Sequence, residues 1–339
     1  MRRGFLSPQR PLPLAEAAKE SAAKASRTPV SLPLRFLFAD SADSVNENLL
    51  VLLHGRGDRA APFAQFGTRL ALPQTATLAL EGALEIPHAD GGRGWFDAFE
   101  EDGELIDGCV AGERRRTASL ARSVDALVAT LEALVLLGWP LRKIHLFGFS
   151  DGGTVRRTSE SPARRTPRRR PSPGAASRGE AAARPQIHAR SVWRRRYLCP
   201  FSLKHAWRHS HFLLQAALEL ALRFSGPRRL GSCTAVSAAL LPESMPREPA
   251  EALPPPHTPV LVTRGEGDEV VSLRAVMQTQ SAMRAAAPGC GCDVVAVRGK
   301  GHGMPRGEEE TRELMKFWAS VLSARPLAAA GEEIVELDS

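Results

Sequence analysis

With 339 residues, 43% of them hydrophobic, the chain can bury one sizeable core or two small ones. No uninterrupted apolar run reaches about 18 residues, so no membrane-spanning helix is expected, and five scattered cysteines make neither a disulfide scaffold nor, at Cys290 and Cys292, a zinc site. The formal charge of +8 invites a nucleic-acid partner, but residues 155–215 alone hold fifteen Arg or Lys against two acids, Glu160 and Glu180, which leaves the remainder at −5.

Residues 1–30 are basic, with Arg2, Arg3 and Arg10 beside only two acids, Glu16 and Glu20. They read as a disordered tail or an organelle transit peptide, without the apolar stretch of a secretory signal. The cysteine usage otherwise points to a reducing, cytoplasmic setting. The first strand expected is Leu49–Leu53, an apolar run that stops at His54-Gly55-Arg56-Gly57-Asp58. Leu120, Val124, Leu127, Leu131 and Leu134 then recur every three or four residues and mark one face of a helix. A second strand, Lys143–Phe147, runs into Gly148-Phe149-Ser150-Asp151-Gly152-Gly153.

The helix that should follow is interrupted. After Thr154 comes a Pro-, Ser- and Arg-rich segment, 155–215, that cannot pack into a core. Helical character resumes at Ala216–Leu222. Joining Thr154 to Ala216 restores a continuous helix start, and valine codons begin with GT while the CAG glutamine codon ends in AG. Val155–Gln215 is therefore expected to be a retained in-frame intron. The competing expectation is a basic insertion for nucleic acid or an anionic surface, since Arg168–Arg170 and Arg194–Arg196 lie near Trp193, Tyr197 and Trp207.

Two more strands follow, Pro259–Thr263 before Arg264-Gly265-Glu266-Gly267-Asp268 and Asp293–Val297 before Gly299-Lys300-Gly301-His302-Gly303. Leu314, Met315, Phe317, Trp318, Val321 and Leu322 mark a closing helix, and residues 326–339 a tail. Strands alternating with helices imply an α/β architecture, a mostly parallel sheet with helices on both faces. In such a sheet the active site forms beyond the carboxyl ends of the strands, where every one of these glycine-rich turns falls.

Gly148-x-Ser150-x-Gly152 after an apolar strand is the pattern of a serine held on a sharp strand-to-helix turn. A serine hydroxyl needs a base, and the base an orienting carboxylate. Asp268 and His302 follow Ser150 in the chain order such a fold requires. Two backbone N–H donors are needed for the oxyanion, and Asp151, after the nucleophile, and Arg56, after the first strand, are the candidates. His54 is read as shaping its loop rather than as a base.

The stretches LLVLLHGRGD, GRGWFD, KIHLFGFSDGG, PVLVTRGEGDEVV and GKGHGM resemble the phospholipase/carboxylesterase family, which includes the acyl-protein thioesterases. The resemblance covers about 46–154 and 216–322. It implies one α/β-hydrolase domain, 31–154 with 216–325, interrupted by a disordered basic insertion. It implies the triad Ser150, Asp268 and His302, the oxyanion donors Arg56 and Asp151, and Trp95 and Phe96 on the acyl-binding side. It also implies no metal and no organic cofactor. The substrate would be a small acyl ester or thioester, with a lipidated protein or a lysophospholipid among the options. The chain departs from the family in Asp151, where Gln or Met is usual, and in Glu269, where Pro is common. The alternative expectation is a catalytically impaired hydrolase-like protein whose Arg-rich insertion does the binding.

Overall fold

The computed structural model describes residues 27–86, 89–97, 99, 114–149, 213–240 and 252–324. The two tails, Ser150, Asp151 and nearly all of the basic segment lie outside the described residues.

Nine strands and five helices occur among the described residues. The strands are β1 (Phe36–Ala39), β2 (Asn48–Leu53), β3 (Thr75–Leu80), β4 (Leu84–Glu85), β5 (Arg93–Gly94), β6 (Ile144–Phe149), β7 (Ser232–Val236), β8 (Val260–Gly265) and β9 (Cys292–Val297). The helices are α1 (Ala60–Leu70), α2 (Arg114–Leu136), α3 (Leu213–Arg223), α4 (Leu273–Ala286) and α5 (Glu308–Val321). Seven strands form one sheet in the order β1-β3-β2-β6-β7-β8-β9, while β4 and β5 make a separate short hairpin. Only the edge strand β1 runs antiparallel, against β3. The other pairings of the large sheet are parallel.

Every residue of β2, β3, β6, β7 and β8 is buried. This is why their sequences read as continuous rather than alternating apolar runs. Side chains still alternate between two cores. Leu49, Val51 and Leu53 face α2, α3 and α4 through Val124, Leu131, Leu218 and Val276. Leu50 and Leu52 face α1 and α5 through Phe63, Leu314 and Trp318. Helices thus cover both faces, and the mostly parallel sheet has the α/β-hydrolase architecture expected from the sequence.

Some boundaries differ from those expected. β6 continues to Phe149 and β8 to Gly265, because Gly148 pairs with Leu53 and Gly265 with Val297 before the chain turns away. α3 starts at Leu213, three residues ahead of the expected resumption of helix. β1, β3, β7 and the β4–β5 hairpin were not expected at all. In β3 and β7 the residues Thr75, Thr77, Ser232 and Thr234 break the aliphatic run, yet all four are buried. Chain order in the sheet reverses direction at β2, which has β3 on one side and β6 on the other. The crevice beyond the carboxyl ends of β2 and β6 is the place where such sheets bind ligands.

Candidate active site

The loop after β2 is built around a buried histidine. His54 Nδ1 contacts Gly55 O at 2.7 Å, and Gly82 N–H donates to Nε2 at 2.9 Å. That pairing fixes the tautomer with the proton on Nδ1 and leaves neither nitrogen for proton transfer. Burial lowers the imidazole to about 4, so it is neutral. His54 is a structural residue, as the sequence suggested. Its carbonyl accepts from Trp95 Nε1 at 3.1 Å, and the Trp95 ring lies 5.3 Å from its own.

Beyond His54 the loop is pinned to the hairpin. Gly57, at φ 79°, donates from its N–H to Arg93 O at 2.9 Å, and Arg93 N–H returns a bond to Asp58 O at 2.9 Å. The positive φ is costly for any residue with a Cβ, which accounts for glycine at this point. Arg56 is buried, with its guanidinium over the rings of Phe96 at 5.2 Å and Phe99 at 5.7 Å. Trp95 and Phe96, expected on the acyl side, are therefore both buried against the loop that carries Arg56. Burial raises the Asp58 carboxyl above its ordinary value.

Asp268 and His302, which are 34 residues apart, meet. His302 Nδ1 lies 3.0 Å from Asp268 Oδ1 and 3.1 Å from Oδ2. The Asp268 side chain is fully buried and that of His302 is 12% exposed, so the carboxylate sits behind the ring and the ring faces outward. Asp268 Oδ1 also accepts from Val270 N–H at 3.0 Å and Val271 N–H at 2.8 Å. Burial pushes this carboxyl up, but the hydrogen bond and charge of His302 and the Val271 N–H outweigh it, and the net shift is downward. An ionised carboxylate on Nδ1 holds the proton there and leaves Nε2 as the basic nitrogen.

The two turns bearing this pair are fitted to one another. A Cβ on Gly265 would lie 2.1 Å from Lys300 O, so β8 must end in glycine for the histidine turn to come this close. Gly267 N–H donates to Lys300 O at 3.0 Å. Sequence reasoning missed the groups that hold the turns. Buried Arg264 donates to Val271 O at 2.6 Å and Asp268 O at 3.0 Å, fastening both ends of the acid turn. Lys300 is buried against Glu310. The only signal was a charged residue at a position flanked by glycines and strand, Arg264 before Gly265 and Lys300 before Gly301.

The ring of His302 lies 5.7 Å from that of Phe149, centroid to centroid. Phe149 closes β6, so the imidazole stands over the residue immediately before Ser150. Ser150 and Asp151 themselves lie outside the described residues. The structure thus brings together Asp268, His302 and the end of β6, with the Arg56 loop at the end of the adjacent strand. No group of three or more His, Cys, Asp or Glu able to hold a metal occurs among the described residues. Among the helices of those residues, none is long and apolar enough to cross a membrane.

Comparison with known proteins agrees with this frame. Residues 37–160 match the family described as Phospholipase/Carboxylesterase. The chain is 38% identical over 122 residues to the uncharacterized hydrolase UM10204 of Mycosarcoma maydis, covering 35% of this chain and 43% of that one. It is 27% identical over 110 residues to the uncharacterized hydrolase C9G1.08c of Schizosaccharomyces pombe, covering 32% and 44%. The matched stretch thus spans less than half the length of either relative. Among solved structures, esterase PE8 aligns with a TM-score of 0.55 at 17% identity, over 85% of this chain and 99% of that one. The Bacillus cereus carboxylesterase aligns at 0.50 and 12% identity, over 85% and 95%. These likenesses show the fold. Asp268 and His302 lie beyond the matched stretch and rest on their geometry alone. The kinship this chain displays, carried by residues 37–160 on an α/β-hydrolase fold, is with the phospholipase/carboxylesterase family.

Proposed function

We propose that this protein is a serine hydrolase of carboxylic esters or thioesters. One observation carries the proposal: an imidazole held at Nδ1 by a buried carboxylate, with its ring against Phe149, the residue before Ser150. In this reading His302 Nε2 takes the proton of Ser150 Oγ as that oxygen attacks the acyl carbonyl. Asp268 keeps the Nδ1 tautomer and stabilises the imidazolium that forms. The backbone N–H groups of Arg56 and Asp151 receive the negative charge that develops on the carbonyl oxygen. His302 then returns the proton to the leaving alkoxide or thiolate. Water, deprotonated by the same nitrogen, releases the acid from the acyl-enzyme.

Trp95 and Phe96 back the acyl-binding side through the Arg56 loop. The substrates proposed are short-to-medium acyl esters or thioesters, a class that extends to lipidated proteins and lysophospholipids. The chemistry asks for no metal or organic cofactor. The free, buried thiols of Cys233, Cys290 and Cys292 support action in a reducing compartment such as the cytoplasm.

The test is covalent labelling of the full-length protein by a fluorophosphonate probe, beside Ser150→Ala and His302→Ala. Labelling of the parent and of neither variant is the expected result. Labelling that survives Ser150→Ala would show that the nucleophile lies elsewhere.

A further inference from the structure

The Lys300–Glu310 pair stands next to the proposed dyad and has no part in the chemistry above. Lys300 Nζ lies 2.5 Å from Glu310 Oε1, with side chains 2% and 0% exposed. Glu310 is surrounded by donors. Thr263 Oγ1 donates to the same oxygen at 2.7 Å, and Arg306 N–H donates to Oε2 at 3.0 Å. A carboxylate satisfies three donors, whereas an amide in its place would turn N–H groups toward one of them. The lysine is fixed at its other end as well, since its carbonyl accepts from Gly267 in the acid turn.

A buried ion pair is a poor stabiliser compared with an apolar pair of equal volume, so its presence asks for another reason. The location supplies one. Lys300 precedes His302 by two residues, and Asp268 is a second carboxylate within electrostatic reach of its ammonium. Other charged groups around the dyad are Arg264 and Glu266 from the β8 side and Arg306 from the histidine turn. Arg264 is occupied with the carbonyls of Val271 and Asp268. Arg306 reaches Gly299 O through its side chain at 3.3 Å.

We propose that Glu310 is a positioning residue that holds the Lys300 ammonium away from Asp268 and so reserves the Asp268 carboxylate for His302. The inference rests on the serine hydrolase reading for its consequence in catalysis. Its structural content, the Nδ1–H bond between His302 and Asp268, can be observed without turnover. When Glu310 loses its charge, the buried ammonium turns to the carboxylate still within reach. Asp268 then serves two cations, and the imidazole loses its fixed orientation.

The experiment uses the full-length protein and three variants, Glu310→Gln, Lys300→Met and Lys300→Met/Glu310→Gln. The first readout is the far-downfield proton resonance of His302 Nδ1–H, assigned by its loss in His302→Gln. The second is the kcat and KM of ester hydrolysis, at a temperature where circular dichroism shows each variant folded. Glu310→Gln is expected to lose or shift the resonance and to lower kcat about 100-fold with KM unchanged. Lys300→Met and the double variant are expected to keep the resonance and a kcat within about threefold of the parent. A purely structural pair gives another pattern, in which the double variant is no better than Glu310→Gln. That pattern overturns the proposal, as does a Glu310→Gln protein with an unchanged resonance. If Glu310→Gln does not fold, the double variant carries the test by itself, and loss of its resonance overturns the proposal. Absence of fluorophosphonate labelling in the parent defeats the enzyme reading instead, and leaves the resonance test standing.

Discussion

Replacing Gly265 by alanine probes the fit between the acid turn and the histidine turn. The added methyl would stand 2.1 Å from Lys300 O, 2.6 Å from Lys300 C and 2.7 Å from Gly301 O, all backbone atoms that cannot swing aside. Ordinary contact begins near 3.4 Å, so the turns must separate by about 1.3 Å. Carried along the line between His302 and Asp268, that movement stretches a 3.0 Å hydrogen bond beyond 4 Å, where it no longer exists. Overpacking of this kind costs about 1–3 kcal/mol of stability. A displacement of about 1 Å between catalytic groups lowers the rate about 100-fold. Gly303, on the far side of His302, has nothing within 4 Å of its would-be Cβ, so Gly303→Ala serves as the control. The assay is kcat/KM for an activated ester, with urea unfolding measured on the same samples. Gly265→Ala is expected to lose about two orders of magnitude while still folded, and Gly303→Ala to stay within about threefold of the parent. A Gly265→Ala enzyme as active as its control would falsify the claim that this contact sets the dyad.

Acid should weaken the fold through two buried imidazoles. Desolvation lowers His54 to about 4, and desolvation with the charges of Lys143 and Arg229 lowers His145 to about 4, whereas the unfolded chain takes up these protons near 6.5. Their contribution is therefore complete above about pH 6.5 and is lost as pH falls toward 4, with each histidine removing about 2 kcal/mol by pH 5. Urea midpoints at pH 7.5 and 5.0 measure the loss, and His145→Gln should reduce it by about half. Arg264→Met removes the donors to Val271 O and Asp268 O. It should cost about 1.5–3 kcal/mol in thermal or urea unfolding and lower kcat more than it raises KM. If Val155–Gln215 is a retained intron, most processed transcripts amplified across codons 150–220 will lack those 61 codons, and a single long product argues against that origin.

The strands that position the site were legible because burial on both faces requires an unbroken aliphatic run, as in Leu49–Leu53 and Ile144–Phe147. β3 and β7 were not, because a buried threonine or serine in a sheet looks from sequence like the start of a turn. α1 was hidden for a similar reason. It begins with Pro62 in its first turn, where a missing N–H costs nothing, and carries Gly67 against Leu52. At the site, Asp268 and His302 could be found from their place after strands, and the structure brings them together. What holds them could not be found. A lysine beside a glycine gives no sign of whether it points to water, and Glu310 is one of three consecutive glutamates at the start of α5. Helix-terminal acids normally favour the helix dipole from the surface, so nothing marks the one that is buried.

The site divides into parts with different dependences on the rest of the chain. The acid and the base, with Arg264, Lys300, Thr263 and Glu310, all come from residues 263–310 and are held by one another. The loop of His54 and Arg56 is held by Gly82, Arg93 and Trp95. The two parts meet at Phe149, whose ring lies 5.7 Å from that of His302 and 6.4 Å from that of Phe63 on α1. Neither part needs the residues after position 150 to form. The nucleophile and the second oxyanion donor do need them, because a strand-to-helix turn is completed by its helix. Residues 155–215 enter the chain at that point, and α3, which packs Ala217, Leu218, Leu220 and Ala221 into the core, follows directly after them. An effect of this segment on activity should therefore fall on Ser150 and spare the dyad. Deleting Val155–Gln215 is expected to leave the His302 Nδ1–H resonance where it is and to raise the rate of fluorophosphonate labelling at Ser150. A deletion that changes the resonance would show that the dyad depends on this segment after all, and that the two parts of the site are not separable.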